Sequence, residues 1–325
     1  MLIINKEKAL KFAIYPIICL FYASILSNFP SELFRDRVAY LRYAEKGIEL
    51  FSLYGFDIKK IIFNEPLFLV INEVLSIIFE PDKIIQFLVF FISFTFSYFI
   101  CFHARNINCA LLGLLLLFII PQSFHAQLVI LRQSLAVSIL LWSIILFDNK
   151  KYILLTSLFC CFIHSSFFIF TPLLFVGLFF NFNERYKYFF YPFCYALLIT
   201  FSAHFLSSVL GLRQADQNQA LASNDVSVSG FGFILWGVAT IVLASRNKIL
   251  NNNVLLLRLT VLFLIFYCSL YFISPISGRV FSALTTLIIA SLVYTFHARN
   301  ILYVIILILL SMITFEQSVI NNSFL

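Results

Sequence analysis

LVILRQSLAVSILLWSIILF, residues 128–147, decides the fold. Fourteen or more uninterrupted apolar and small residues follow Arg132-Gln133, and the run is close to the roughly 20 residues a helix needs to cross a bilayer. Comparable runs recur from one end of the chain to the other. They are continuous rather than alternating, which excludes a transmembrane β-barrel. Apolar residues make up 62% of the chain and charged residues 11%, against about half and a quarter in soluble domains. The sequence therefore predicts an all-α polytopic membrane protein, a single integral membrane domain over 1–325.

Lys/Arg bias in the short loops orients the spans. Arg105, Lys150-Lys151, Arg185/Lys187, Arg246/Lys248 and Arg299 form one consistent inner set with the N-terminus, where Lys6, Lys8 and Lys11 precede an apolar run too long for a cleaved leader. Spans are then expected near 9–29, 84–102, 107–121, 134–148, 188–209, 231–245, 253–273, 279–296 and 300–316. The stretch 152–180 is expected to form a tight hairpin whose tip is His164-Ser165-Ser166. The total is about 11 transmembrane helices, N-terminus inside and C-terminus outside. The stretch 66–80, PLFLVINEVLSIIFE, is too short for a span and predicts a re-entrant or interfacial helix that opens on Pro66. Two loops fall outside: 30–65, the most charged part of the chain, and the polar stretch 211–230.

Other features exclude functions. Seven cysteines lie in apolar segments with no CxxC spacing, which reads as packing rather than disulfide or metal chemistry. The net charge of +7 is scattered between spans, so it suits anionic lipid or substrate, and no nucleic-acid partner is expected. No metal-ligand cluster, DxD pair, nucleotide loop or Ser-His-Asp array is visible, and no metal or cofactor is expected. FHARNI occurs at both 102–107 and 296–301, but the flanks do not align, and no inverted repeat is inferred.

The charges in expensive places carry the functional reading. Arg132 and Arg279 both stand at outer ends of spans, against the positive-inside tendency, and His164 stands at the outer hairpin tip. Singly, each arginine suits snorkelling to headgroups. Together, each followed by small residues (Ser134, Ala136, Ser138; Ser282, Ala283), they suit helices packed closely with arginines turned inward. A guanidinium pairs with phosphate oxygens in bidentate fashion, so an outer diphosphate site is expected. Asp36 and Tyr40 share a helix face at i, i+4, and Glu65 precedes the Pro66 helix. A solvated face for the 32–45 charges, a helix-dipole role for Glu65 and a hydrogen-bonded core role for His164 stay open beside the catalytic one.

In chain order, Asp36-x-x-x-Tyr40, EPLF (65–68), LRQSLAVSI (131–139), FIHSSFF (162–168) and SGR (277–279) resemble the EpsG/Wzy group of polysaccharide polymerases. The resemblance implies a metal-independent, GT-C-like membrane glycosyltransferase of the bacterial inner membrane with its site on the periplasmic face. Its substrates would be undecaprenyl-diphosphate-linked oligosaccharides of O-antigen or polysaccharide biosynthesis, and a chain-length regulator protein would be a partner. Arg132 and Arg279, with Gln133 and Tyr40, would hold the diphosphate, and Asp36, Glu65 or His164 would take a proton. A lipid-linked oligosaccharide flippase and an O-antigen ligase are the alternatives; the flippase would want a charged cavity open to both sides, and the ligase a larger late loop.

Overall fold

The computed structural model describes residues 13–30, 34, 36–52, 62–180, 185–210, 230–245, 255–274, 276–297 and 300–320. The expected loop 211–230 lies outside the described residues except for Gly230. The stretch 30–65 lies partly outside them, as do the orienting charges Lys6, Lys8, Lys11, Arg246, Lys248 and Arg299. Every regular element among the described residues is a helix. In chain order these are α1 (Tyr15–Ser27), α2 (Arg37–Glu45), α3 (Gly47–Ser52), α4 (Pro66–Ser76), α5 (Pro81–His103), α6 (Ile107–Ile119), α7 (Pro121–Leu128) and α8 (Leu131–Leu146). Then come α9 (Lys150–Cys160), α10 (Phe167–Phe179), α11 (Arg185–Leu210), α12 (Phe231–Ala244), α13 (Leu255–Leu270), α14 (Ile276–Tyr294) and α15 (Ile301–Ile320).

The apolar helices make this a membrane protein, and their lengths are uneven. Among the described residues, three helices, Pro81–His103, Ser277–Tyr294 and Ile301–Ile320, are long and apolar enough to cross a bilayer alone, and the bent pair α6–α7 makes a fourth. Several others are shorter apolar helices of 10–17 residues. At 1.5 Å per residue, the 16 residues of α8 reach about 24 Å, less than a hydrocarbon core of about 30 Å. The expected span 107–121 is broken instead at Ile120, with a 77° bend into α7. Proline forces the break: Ile120, the residue before Pro121, is extended (φ −72°, ψ 114°) because Pro disfavours the helical region there. Gln127 repairs part of the damage by donating to the carbonyls of Leu117 (3.2 Å) and Ser123 (3.1 Å).

The chain forms two compact units, 1–50 with 69–146 and 285–325, and 51–68 with 147–284. In the first, α5 is the central helix, and α1, α2, α6 and α8 pack on it. Small residues allow that approach. Ser93 and Ser97 are buried one turn apart on α5, Cys19 and Ala23 one turn apart on α1, and Cys19 lies against Ser97 and Cys101. Trp142 of α8 donates its indole N–H to Thr95 Oγ1 at 2.9 Å, which keeps a polar pair satisfied inside an apolar seam.

In the second unit α13 is central, with α10, α11 and α12 packed on it. Gly177 lets α10 close on α13: a methyl there would stand 2.7 Å from Leu259 Cδ2. The carbonyl of Gly177 also accepts a hydrogen bond from the buried Arg258 Nη1 at 3.3 Å. Helices α9 and α10 form the hairpin expected between 152 and 180, closed by turns over Cys161–Ser166. Ser157 and Thr171 meet across it at 2.6 Å.

Candidate functional site

The residues singled out in the sequence divide between the two units. Asp36, Tyr40, Arg132 and Gln133 belong to the first, and Glu65, His164 and Arg279 to the second. All seven are described.

In the second unit, the start of α4 is tied to the α9–α10 turn. The Leu67 N–H donates to the Phe162 carbonyl at 3.0 Å, and Phe63 packs on Phe168 with ring centroids 5.0 Å apart. Those ties place Glu65 over the turn. Its backbone has φ of +60°, and it is the one non-glycine residue with positive φ among those described. An L-residue in that region costs of order 1–3 kcal/mol, and such strain persists where surrounding structure holds it and tends to collect at functional sites. Here the holding contacts converge on the carboxylate. Ser165 donates to Glu65 Oε1 from both its N–H and its hydroxyl, each at 3.3 Å, and His164 Nε2 stands 3.5 Å from the same oxygen.

The imidazole continues the line. Its Nδ1 lies 2.7 Å from Ser166 Oγ and accepts the Ser166 backbone N–H at 3.3 Å. An amide N–H can only donate, so in the neutral ring that accepts it at Nδ1 the proton sits on Nε2, facing Glu65. Ser166, His164 and Glu65 thus form a hydroxyl–imidazole–carboxylate array, with His164 8% and Glu65 7% exposed. This array is invisible in the sequence, where Glu65 and the FIHSSFF element are far apart. Arg279 stands in the first turn of α14, half-buried.

In the first unit, Asp36 occupies the N-cap position of α2, exposed and without a side-chain capping bond. Tyr40 is buried one turn further on. Arg132, half-buried in the first turn of α8, lays its guanidinium over two rings, 4.9 Å from the centroid of Tyr43 and 5.8 Å from that of Tyr40. Each such contact is worth about 0.5–2 kcal/mol depending on desolvation. Burial raises the Tyr40 phenol above its usual range, against the pull of the Arg132 charge and of hydrogen bonds from that residue. Tyr40 therefore stays a neutral donor. Gln133 is buried on the neighbouring face of α8.

One residue of this unit escapes the sequence reading. Arg37, one of the 32–45 charges for which a solvated face stays open in the sequence, is only 1% exposed. Its Nε donates to the Leu128 carbonyl at 3.3 Å, and its guanidinium stacks over Phe34 at 4.8 Å. Both Nη atoms are buried without a hydrogen-bond partner. Burial alone draws its pKa down to about 10, which still leaves it charged at neutral pH. No pattern in a run as charged as RDRVAYLR distinguishes the arginine that turns inward.

Among the described residues, no group of three or more His, Cys, Asp or Glu side chains is placed to hold a metal ion. The second unit carries a hydroxyl–imidazole–carboxylate array, and the first carries two guanidinium groups set against aromatic rings. No curated protein and no solved structure matches the chain. The sequence profile of the EpsG family matches residues 3–325, essentially the whole length and every element carrying these residues. The chain belongs to the EpsG family, which includes Wzy-like polysaccharide polymerases.

Proposed function

We propose that the protein is a GT-C-like, metal-independent polymerase of the bacterial inner membrane. It transfers a growing glycan from undecaprenyl diphosphate to the non-reducing end of a lipid-linked repeat unit at the periplasmic face. Family membership supports a polymerase role. The observation that carries the chemistry is the array Ser166–His164–Glu65, a basic nitrogen held by a buried carboxylate on strained backbone.

In this reading the acceptor hydroxyl attacks the anomeric carbon of the lipid-linked sugar. The carbon–oxygen bond to undecaprenyl diphosphate breaks as the new glycosidic bond forms. The acceptor's proton passes to the Ser166 oxygen as the Ser166 proton moves to His164 Nδ1, and Glu65 stabilises the resulting imidazolium. Arg132, with Tyr40 and Gln133, is the diphosphate contact of the first unit and Arg279 that of the second, each favouring negative charge on a bound diphosphate. Asp36, exposed at its helix start, orients acceptor sugar rather than taking the proton.

The test is the length distribution of surface glycan in a strain lacking the gene, complemented with wild type or His164→Ala at equal membrane abundance. The expected result is a full ladder with wild type and collapse to core plus one repeat unit with His164→Ala. Loss of every capped form in the deletion strain would indicate a flippase or ligase, and an unchanged ladder would refute the reading.

A further inference from the structure

A buried positive charge is stable only when an anion or a full set of acceptors faces it. Arg37 has neither. Its one hydrogen bond uses Nε, its stacking partner is apolar, and both Nη atoms, the pair that grips oxyanions in a bidentate contact, are unpartnered. Proton loss does not relieve the problem: with a pKa of about 10, about one molecule in a thousand is neutral at pH 7.

Its position adds a second observation. Arg37 and Tyr40 share a face of α2 at i, i+3. The Arg37 Nε bond ends on Leu128, the last residue of α7, and Tyr40 receives Arg132 from the first turn of α8. One face of α2 thus meets both sides of the α7–α8 junction, and the two guanidinium groups are anchored to it. The positive end of the α8 dipole adds to the field there.

We infer that the Nη atoms of Arg37 bind oxyanions of a diphosphate head, making Arg37, with Arg132, a substrate-binding residue of the first unit. The inference rests on the polymerase reading for the source of the diphosphate, the undecaprenyl carrier. Arg37 then has two tasks, Nε fixing the α7–α8 junction and the Nη pair meeting ligand, which only a guanidinium can combine.

Melting and affinity together separate this role from a structural one. Removing the unpaired buried charge offsets the loss of the Nε bond to Leu128, so Arg37→Met is expected to melt close to wild type, while undecaprenyl diphosphate binds about 10- to 100-fold more weakly. The experiment measures melting and ligand titration on the purified full-length protein in detergent. Its probes are undecaprenyl diphosphate, inorganic diphosphate and phosphatidylglycerol, with Arg132→Ala alongside. Lower melting with unchanged diphosphate affinity would overturn the inference.

If Arg37→Met does not accumulate, Arg37→Lys keeps the charge without the fork. Weakened diphosphate binding there supports the inference, and unchanged affinity overturns it. An Arg37-dependent response to inorganic diphosphate supports recognition of the head alone, whereas a response only to phosphatidylglycerol overturns it. Wild type that binds no diphosphate in any form overturns the polymerase reading as well. Binding that depends on Arg132 and not on Arg37 overturns this inference alone.

Discussion

His164 Nε2 and Glu65 Oε1 stand 3.5 Å apart, both buried, although FIHSSFF and EPLF are distant in the chain. In the neutral ring that accepts the Ser166 amide at Nδ1, the proton sits on Nε2, toward that carboxylate. Glu65→Gln keeps an acceptor for the Ser165 donors and removes the charge that stabilises the imidazolium. Polymerisation rate is expected to fall roughly 10²–10⁴-fold, with expression and melting temperature close to wild type. Initial rates at saturating substrate check this, and a change confined to KM would count against the relay.

The backbone of Glu65 gives a separate prediction. At φ of +60°, glycine is at ease and alanine is not. Glu65→Gly is expected to be more stable than Glu65→Ala by about 1 kcal/mol, the reverse of the order at an ordinary position. Comparing melting of these two variants isolates the backbone, because both lack the carboxylate.

Arg132 stacks on Tyr43 and Tyr40, and in the proposed function its planar group also meets phosphate oxygens. Arg132→Ala is expected to lower the rate by roughly 10²–10³-fold, and Arg132→Lys to recover little of it, since an ammonium lacks the fork. A Lys variant with normal kinetics would contradict bidentate phosphate binding.

In the first unit, a side chain at Gly113 would run into Ile100 and stand 3.1 Å from Val293 Cγ1. Ile100 and Val293 are both buried, so neither has room to retreat. Gly113→Leu is expected to destabilise the protein by about 1–3 kcal/mol through overpacking. Thermal unfolding in detergent measures the loss, and a melting temperature at or above that of wild type would contradict the packing described.

The helical membrane class was legible because long apolar runs have no other home, and the 152–180 hairpin was legible because its polar tip interrupts them. Helix lengths were not. The Pro121 break and its 77° bend lie within a stretch that hydropathy alone reads as one run. Of the candidate site, His164 and Glu65 could be nominated by residue type, and Arg132 by its cost in an apolar segment. Their partners could not, since the Ser166–His164–Glu65 line depends on the Leu67–Phe162 tie between distant segments. Arg37 was hidden for the opposite reason: among so many neighbouring charges, only three-dimensional packing separates a buried guanidinium from solvated ones.

The most direct measurement is chain extension by the purified protein in lipid nanodiscs, supplied with lipid-linked repeat units from a polymerase-deficient strain and EDTA. The account predicts a ladder of longer lipid-linked glycans with wild type, and single repeats with Glu65→Gln or His164→Ala. Equal ladders from all three proteins would contradict the relay, and no extension by well-folded wild type would contradict a metal-independent polymerase.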